Sequence, residues 1–193
     1  MNLPNKISFL RIILVPLIYV FYLAIPNPWG KIIAVVLFIA AAITDQIDGH
    51  IARKYKQVTD LGKLLDPMAD KLLYCGCMFL IVADGTIGVP WGIIGLFIIF
   101  ARDSLVNGIR QVGASKGVVF AAVLSGKLKA IFAYIFIPMF MFVAAQIGAG
   151  NAVWDMINYI MLILAYVVYA IAIGVTIWSA IDYTVKNKEV LKS

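Results

Sequence analysis

The chain has 193 residues, 63% of them hydrophobic and 13% charged, with a mean hydropathy of +0.98 and a formal net charge of +6. That balance excludes a soluble domain of this size, because one aqueous core could not enclose so much apolar surface; the main solvent must be lipid. The positive charge suits anionic headgroups or phosphates, and no aromatic-interleaved basic module accompanies it, so no nucleic-acid partner is expected.

Apolar runs repeatedly approach the roughly 20 residues that cross about 30 Å of hydrocarbon. They predict an all-α, polytopic membrane protein with six transmembrane helices, over residues 7–25, 32–48, 66–83, 89–108, 128–147 and 154–183, in a single domain spanning 1–193. The first run carries Arg11 and Pro16 and is followed by no small-residue cleavage site, so it reads as a retained span rather than a signal peptide. Pro26-Asn27-Pro28-Trp29-Gly30 turns the chain into the second run, and a basic stretch over 50–63 leads to the third. Cys75 and Cys77 lie inside that third run with no cysteine or histidine partners nearby, and read as packing residues. Residues 84–88, a Gly/Ser/Lys segment over 111–127, and residues 148–151 separate the remaining runs. The last run is longer than a bilayer requires. Trp29, Trp91, Trp154, Tyr159 and Tyr183 are expected as interfacial anchors.

With the N-terminus inside, 15 of the 16 Lys and Arg residues fall on or towards the cytoplasmic face, Lys31 being the exception. This asymmetry predicts a multi-pass protein of the plasma membrane with both termini and the active site cytoplasmic.

The segment from the second run into the third carries the chemistry: Asp45, Asp48, Gly49, His50, Ala52 and Arg53, then Gly62, Asp66 and Asp70. Asp45 and Asp48 are three apart, Asp66 and Asp70 four apart, so each pair shares a helix face. A short connection makes the two helices antiparallel neighbours, which lets the pairs converge. An ionised Asp near hydrocarbon costs on the order of 2.5 to 3.5 kcal/mol, and Lys71 is the one adjacent basic residue. Hard divalent cations on oxygen ligands are the natural counter-charge: Mg²⁺ first, with Mn²⁺ or Ca²⁺ as alternatives. Four aspartates can hold two ions about 3.5 to 4 Å apart, an arrangement suited to phosphoryl transfer. Gly49 and Gly62 let the backbone approach a bulky ligand, and Arg53 can pair with phosphate oxygens. Helix capping and pairing with nearby lysines is the competing structural reading. His50, the single histidine, reads as a solvated loop residue because carboxylates suffice for a hard ion.

The string D-x2-D-G-x2-A-R-x8-G-x3-D-x3-D resembles the signature of the CDP-alcohol phosphotransferase family at every specified position. That resemblance implies a six-helix membrane enzyme, usually a homodimer, that displaces CMP from a CDP-alcohol by attack of a second alcohol. It implies Asp45, Asp48, Asp66 and Asp70 as metal ligands, with Asp70 also the general base. It implies Gly49, Ala52, Arg53, Thr59 and Gly62 as the residues that hold the CDP-lipid.

Other segments are similar to the family's bacterial phosphatidylglycerophosphate branch. They are Asn5 to Arg11, Asp66 to Leu73, Ala101-Arg102-Asp103 with Arg110, Gly126-Lys127-Leu128-Lys129, and Trp178 to Tyr183. Asp103 stands where that branch usually has Glu, and Ala130 where it has Thr. The implied substrates are CDP-diacylglycerol and glycerol 3-phosphate. Arg102, Arg110, Lys127 and Lys129 are candidates for the acceptor phosphate, with positive-inside anchoring as the alternative. Other acceptors within the family, giving cardiolipin, phosphatidylserine or phosphatidylinositol phosphate, are the nearest rivals. A divalent-cation transporter is the rival from another class.

Overall fold

The computed structural model describes residues 3–54, 60–115 and 124–187, with side chains described for 5–44, 62, 65–115, 126 and 128–187. The described residues form helices and no strand: α1 (Leu3–Ala24), α2 (Trp29–Lys54), α3 (Asp60–Ala83), α4 (Val89–Ser115), α5 (Leu124–Ala144) and α6 (Ala152–Lys186). All six predicted helices are present, and α1, α4 and α6 are each long and apolar enough to cross a membrane. Trp29–Thr44 in α2 and Leu128–Ala144 in α5 are apolar over a shorter length. At about 1.5 Å per residue, the 35 residues of α6 exceed the hydrocarbon thickness and carry it beyond the apolar layer.

Several ends differ from expectation in one direction. α2 runs to Lys54 instead of 48, α3 begins at Asp60 instead of 66, α4 continues to Ser115 instead of 108, and α5 starts at Leu124 instead of 128. Hydropathy marks where a helix leaves lipid, whereas hydrogen bonding decides where it stops; water lets the charged turns stay helical. Pro67, of a residue type that favours the first helical turn, sits inside α3. His50 and Gly49 thus lie on a helix, not in a loop.

Packing follows small and aromatic residues at helical spacing. α2 buries Ala34, Phe38 and Ala41 against α1 and α5, while α3 buries Ala69, Leu73, Cys77 and Ile81. Cys77 is enclosed in this core and neither cysteine is in a disulfide, in line with a packing role. α5 and α6 interlock through edge-on rings, with Phe136 over Tyr169 at 5.2 Å and Phe140 over Tyr166 at 5.1 Å between centroids. The outward faces stay apolar, as at Val20, Leu23, Phe97 and Val167, so the molecule covers itself with the residues that a soluble protein hides. Trp29, Trp91, Trp154 and Tyr159 are exposed, as anchors should be; Tyr183 is 1% exposed and so is no anchor.

α6 opens with an Asn151 cap whose side chain accepts from the Val153 N–H at 3.0 Å, and Asp155 lies in its first turn, where the helix dipole favours an anion. At this end of the bundle Lys31 pairs with Asp84 at 3.1 Å and donates to the Ala144 carbonyl at 3.0 Å. Tyr22 also donates to Asp84, so one carboxylate ties α1, α2 and the end of α3 together. The buried stripe of α6 passes from Ala165, Tyr169 and Ala172 to Thr176, Ser179 and Tyr183. Its apolar half thus gives way to a polar half at the opposite end of the bundle, the end that holds the aspartates.

Candidate active site

By helix register, positions 45, 48, 49 and 52 are spaced i, i+3, i+4 and i+7, forming one stripe of α2. Gly62, Asp66 and Asp70, each four apart, form a stripe of α3. The side chains of Asp45, Asp48, Ala52, Arg53 and Lys127 lie outside the described residues, as does Gly49 beyond its backbone and Thr59 entirely. α2 and α3 touch as antiparallel neighbours joined through residues 55–59.

The α3 carboxylates are oriented by hydroxyls from two other helices. Ser8 on α1 donates to Asp66 Oδ1, and Tyr134 on α5 donates to Asp70 Oδ1. Asn5, Ser8 and Arg11, three apart along α1, are all buried, and Arg11 is fully enclosed. A guanidinium is kept inside a membrane bundle only where anions offset it. α1 packs on α3, whose Asp66 supplies negative charge one turn away, at the Ser8 contact. Lys71 is therefore not the only cation beside the aspartates. The family-linked spacing Asn5, Ser8, Arg11 hinted at this face, but no local feature of an apolar helix did.

The donor set fits a hard cation. Asp66 and Asp70, with Asp45 and Asp48 on the adjoining stripe, offer carboxylate oxygen and no sulfur or imidazole, the chemistry preferred by Mg²⁺, Mn²⁺ or Ca²⁺. Among the described residues no group of three or more such ligands occurs, and the α2 pair is outside that set.

Directly beyond Asp70 lies a second cluster, this one net basic. Tyr74, one turn along α3, donates to Asp103 Oδ2 on α4. Lys129 Nζ reaches both Asp103 oxygens, at 2.7 and 2.6 Å, and lies 4.7 Å from the centroid of the Tyr74 ring. Arg102 Nη1 is 3.1 Å from Asp103 Oδ1, and its Nη2 donates to Ser179 Oγ at 2.6 Å. Gly126 explains itself here: a Cβ at that position would sit 3.1 Å from Arg102 Nη2, so any side chain would press on the guanidinium. Arg110 Nε donates to the Tyr183 hydroxyl at 3.3 Å, with its guanidinium 5.8 Å from that ring's centroid. Tyr183 is thus the wall behind an arginine.

Of the candidate acceptor residues, the structure brings Arg102 and Lys129 together through Asp103 and holds Arg110 separately against Tyr183. Lys129 is half of a buried ion pair, a feature that its place in the sequence did not disclose. Tyr74 and Tyr134 carry no signal in the sequence, and for Ser179 and Tyr183 the similarity of the Trp178 to Tyr183 segment marks the place but not the partner. Each resembles an ordinary core or interfacial residue, and each acts across 29 or more positions of sequence.

A family model described as CDP-alcohol phosphatidyltransferase matches residues 1–180. A Bacillus subtilis protein named CDP-diacylglycerol-glycerol-3-phosphate 3-phosphatidyltransferase is 34% identical, over 100% of this chain and 98% of its own length. Proteins of the same name from Rickettsia typhi and Haemophilus influenzae are 35% and 32% identical, covering 85% and 94% of this chain and 88% and 91% of theirs.

Proposed function

This chain belongs to the CDP-alcohol phosphatidyltransferase family, and on that footing we propose that it transfers the phosphatidyl group of CDP-diacylglycerol to glycerol 3-phosphate, releasing CMP. The observation that carries the reading is the abutment of two clusters: hydroxyl-oriented aspartates on α3, and Arg102 with Lys129 one turn further along. The first suits a metal-bound diphosphate and the second an acceptor that carries its own phosphate. Full-length likeness to three proteins of that printed name supports the same substrates.

Family members use divalent metal ions, and we assign Asp45, Asp48, Asp66 and Asp70 to hold them, with two Mg²⁺ ions as the preferred occupancy. When bound, such ions neutralise the diphosphate and make CMP a better leaving group. To Gly49, Ala52, Arg53, Thr59 and Gly62 we assign the binding of the CDP-lipid, as the family resemblance implies. Arg102, Arg110, Lys127 and Lys129 supply positive charge for the acceptor phosphate. A primary hydroxyl of glycerol 3-phosphate attacks the lipid-linked phosphorus and passes its proton to Asp70, the phosphorus–oxygen bond to CMP breaks, and CMP leaves with that electron pair. Tyr134 donates to one Asp70 oxygen, which leaves the other oxygen for the incoming hydroxyl's proton in this reading. The distribution of basic residues supports a cytoplasmic active site in the plasma membrane with both termini inside, and the family resemblance supports a homodimer.

The test is CMP release by purified protein supplied with CDP-diacylglycerol, Mg²⁺ and one alcohol at a time. Release with glycerol 3-phosphate and with no other alcohol is expected. Release with serine, phosphatidylglycerol or inositol phosphate, and none with glycerol 3-phosphate, would move the chain to another branch.

A further inference from the structure

We infer that Asp103 is a positioning and specificity-determining residue, whose carboxylate locks Arg102 and Lys129 into one fixed cationic fork that fits a phosphate-bearing acceptor. The inference rests on the acceptor reading given above and adds to it a residue of opposite charge to the ligand, one that no recognition argument based on charge attraction alone would select.

Three observations carry it. First, Asp103 is the hub of the cluster: it accepts from Lys129 at 2.7 and 2.6 Å, from Arg102 at 3.1 Å and from Tyr74. Second, the hub is enclosed, with Asp103 8% and Lys129 5% exposed, so neither ion can exchange its partner for bulk water. A lysine carries a long flexible stem and a point charge, and holding its ammonium against both oxygens of one carboxylate removes that freedom before any ligand arrives. Third, the remaining edges of the fork are fixed from other helices. Ser179 on α6 accepts from Arg102 Nη2 at 2.6 Å, and the Tyr74 ring lies against Lys129. Of the three charges, two are positive and one negative, so the fork keeps a single net positive charge beside the acidic stripe of α3. An uncharged alcohol gains little from it, whereas a phosphomonoester gains a pre-aligned cation.

A buried ion pair can also be no more than packing, in which case neutral groups of similar size replace it without loss. The experiment separates these roles by steady-state kinetics in detergent on the full chain, with wild type, the double variant Asp103→Asn/Lys129→Met and the charge-conserving Asp103→Glu. The double variant removes both charges of the Lys129–Asp103 pair together and leaves Arg102 its hydrogen bond to Ser179, so folding is retained; a wild-type elution profile and a CDP-diacylglycerol KM within about twofold verify this. Its KM for glycerol 3-phosphate should rise about tenfold or more, with Asp103→Glu lying between it and wild type. A double variant with the wild-type glycerol 3-phosphate KM would overturn the inference, as would equal rises in both KM values. Wild-type turnover with a non-phosphorylated alcohol alone would overturn the acceptor assignment and this inference with it. Wild-type turnover with glycerol 3-phosphate, with its KM unmoved in the double variant, defeats this inference only.

Discussion

At the scale of single residues, the two aspartates of α3 differ in what touches them, and the difference predicts different losses. Asp70 faces the Tyr134 hydroxyl on the side of the basic cluster, and we assign it the incoming proton. Asp70→Asn keeps size and hydrogen-bonding capacity but not basicity. It should reduce kcat by about a thousandfold while CDP-diacylglycerol binding survives. Asp45→Ala, on α2, should also abolish metal-dependent binding of the CDP-lipid. Binding measured by calorimetry beside turnover checks the pair, and identical losses in both variants would remove the division of roles. Gly126 gives a second test. A methyl group placed 3.1 Å from Arg102 Nη2 pushes that end of the guanidinium off its contact with Ser179 by a few tenths of an ångström. Gly126→Ala should therefore raise the glycerol 3-phosphate KM several-fold and leave that for CDP-diacylglycerol unchanged.

At the scale of helices, close approach of backbones decides what the bundle tolerates. A Cβ on Gly95 of α4 would collide with the Tyr169 hydroxyl of α6, which donates to the Trp91 carbonyl at 2.7 Å. Gly95→Ala should cost about 1–3 kcal/mol by overpacking, seen as a lowered Tm in detergent, with Gly174→Ala as a control, since nothing lies within 4 Å of its Cβ position. The Asp84 clasp gives a pH dependence. Burial by itself would raise the carboxyl pKa, but hydrogen bonds from Thr86, Tyr22 and Lys31 outweigh it and hold the group below the usual carboxylate range. A depressed pKa contributes stability above the unfolded value of about 3.9 that is lost as pH falls through the folded value. The Tm difference between wild type and Asp84→Asn should accordingly stay level from about pH 5 to 8 and shrink below about pH 4.

These same elements explain what was legible in the sequence. Apolar length gave six helices because lipid enforces it, and the four aspartates stood out because carboxylates are costly beside apolar runs. Helix ends were misplaced wherever the polypeptide stays helical in water, as at Gly49 and Asp60. Tyr74 and Tyr134, and the partner of Ser179, are illegible for another reason. Aromatic and small hydroxyl residues in an apolar helix carry no mark of function until packing places them against Asp103, Asp70 and Arg102. The Asp103–Lys129 pair lay in plain view, but only the packing of α4 on α5 turns two charges into one unit.

At the scale of the whole molecule, the bundle is divided by polarity along its length. One end is closed by the Lys31–Asp84 clasp and an aromatic interlock, and the other carries acidic and basic clusters in contact. That division suits an enzyme that takes a lipid from the bilayer and a charged alcohol from water at a single membrane face. The central claim is that the acidic helix ends work through divalent cations. Its most direct test is glycerol 3-phosphate-dependent CMP release by the purified protein, after exhaustive chelation and again after Mg²⁺ is restored. The account predicts loss of turnover on chelation to below about one part in a hundred of the starting rate and its return with added Mg²⁺. Undiminished CMP release from the chelated protein would contradict it.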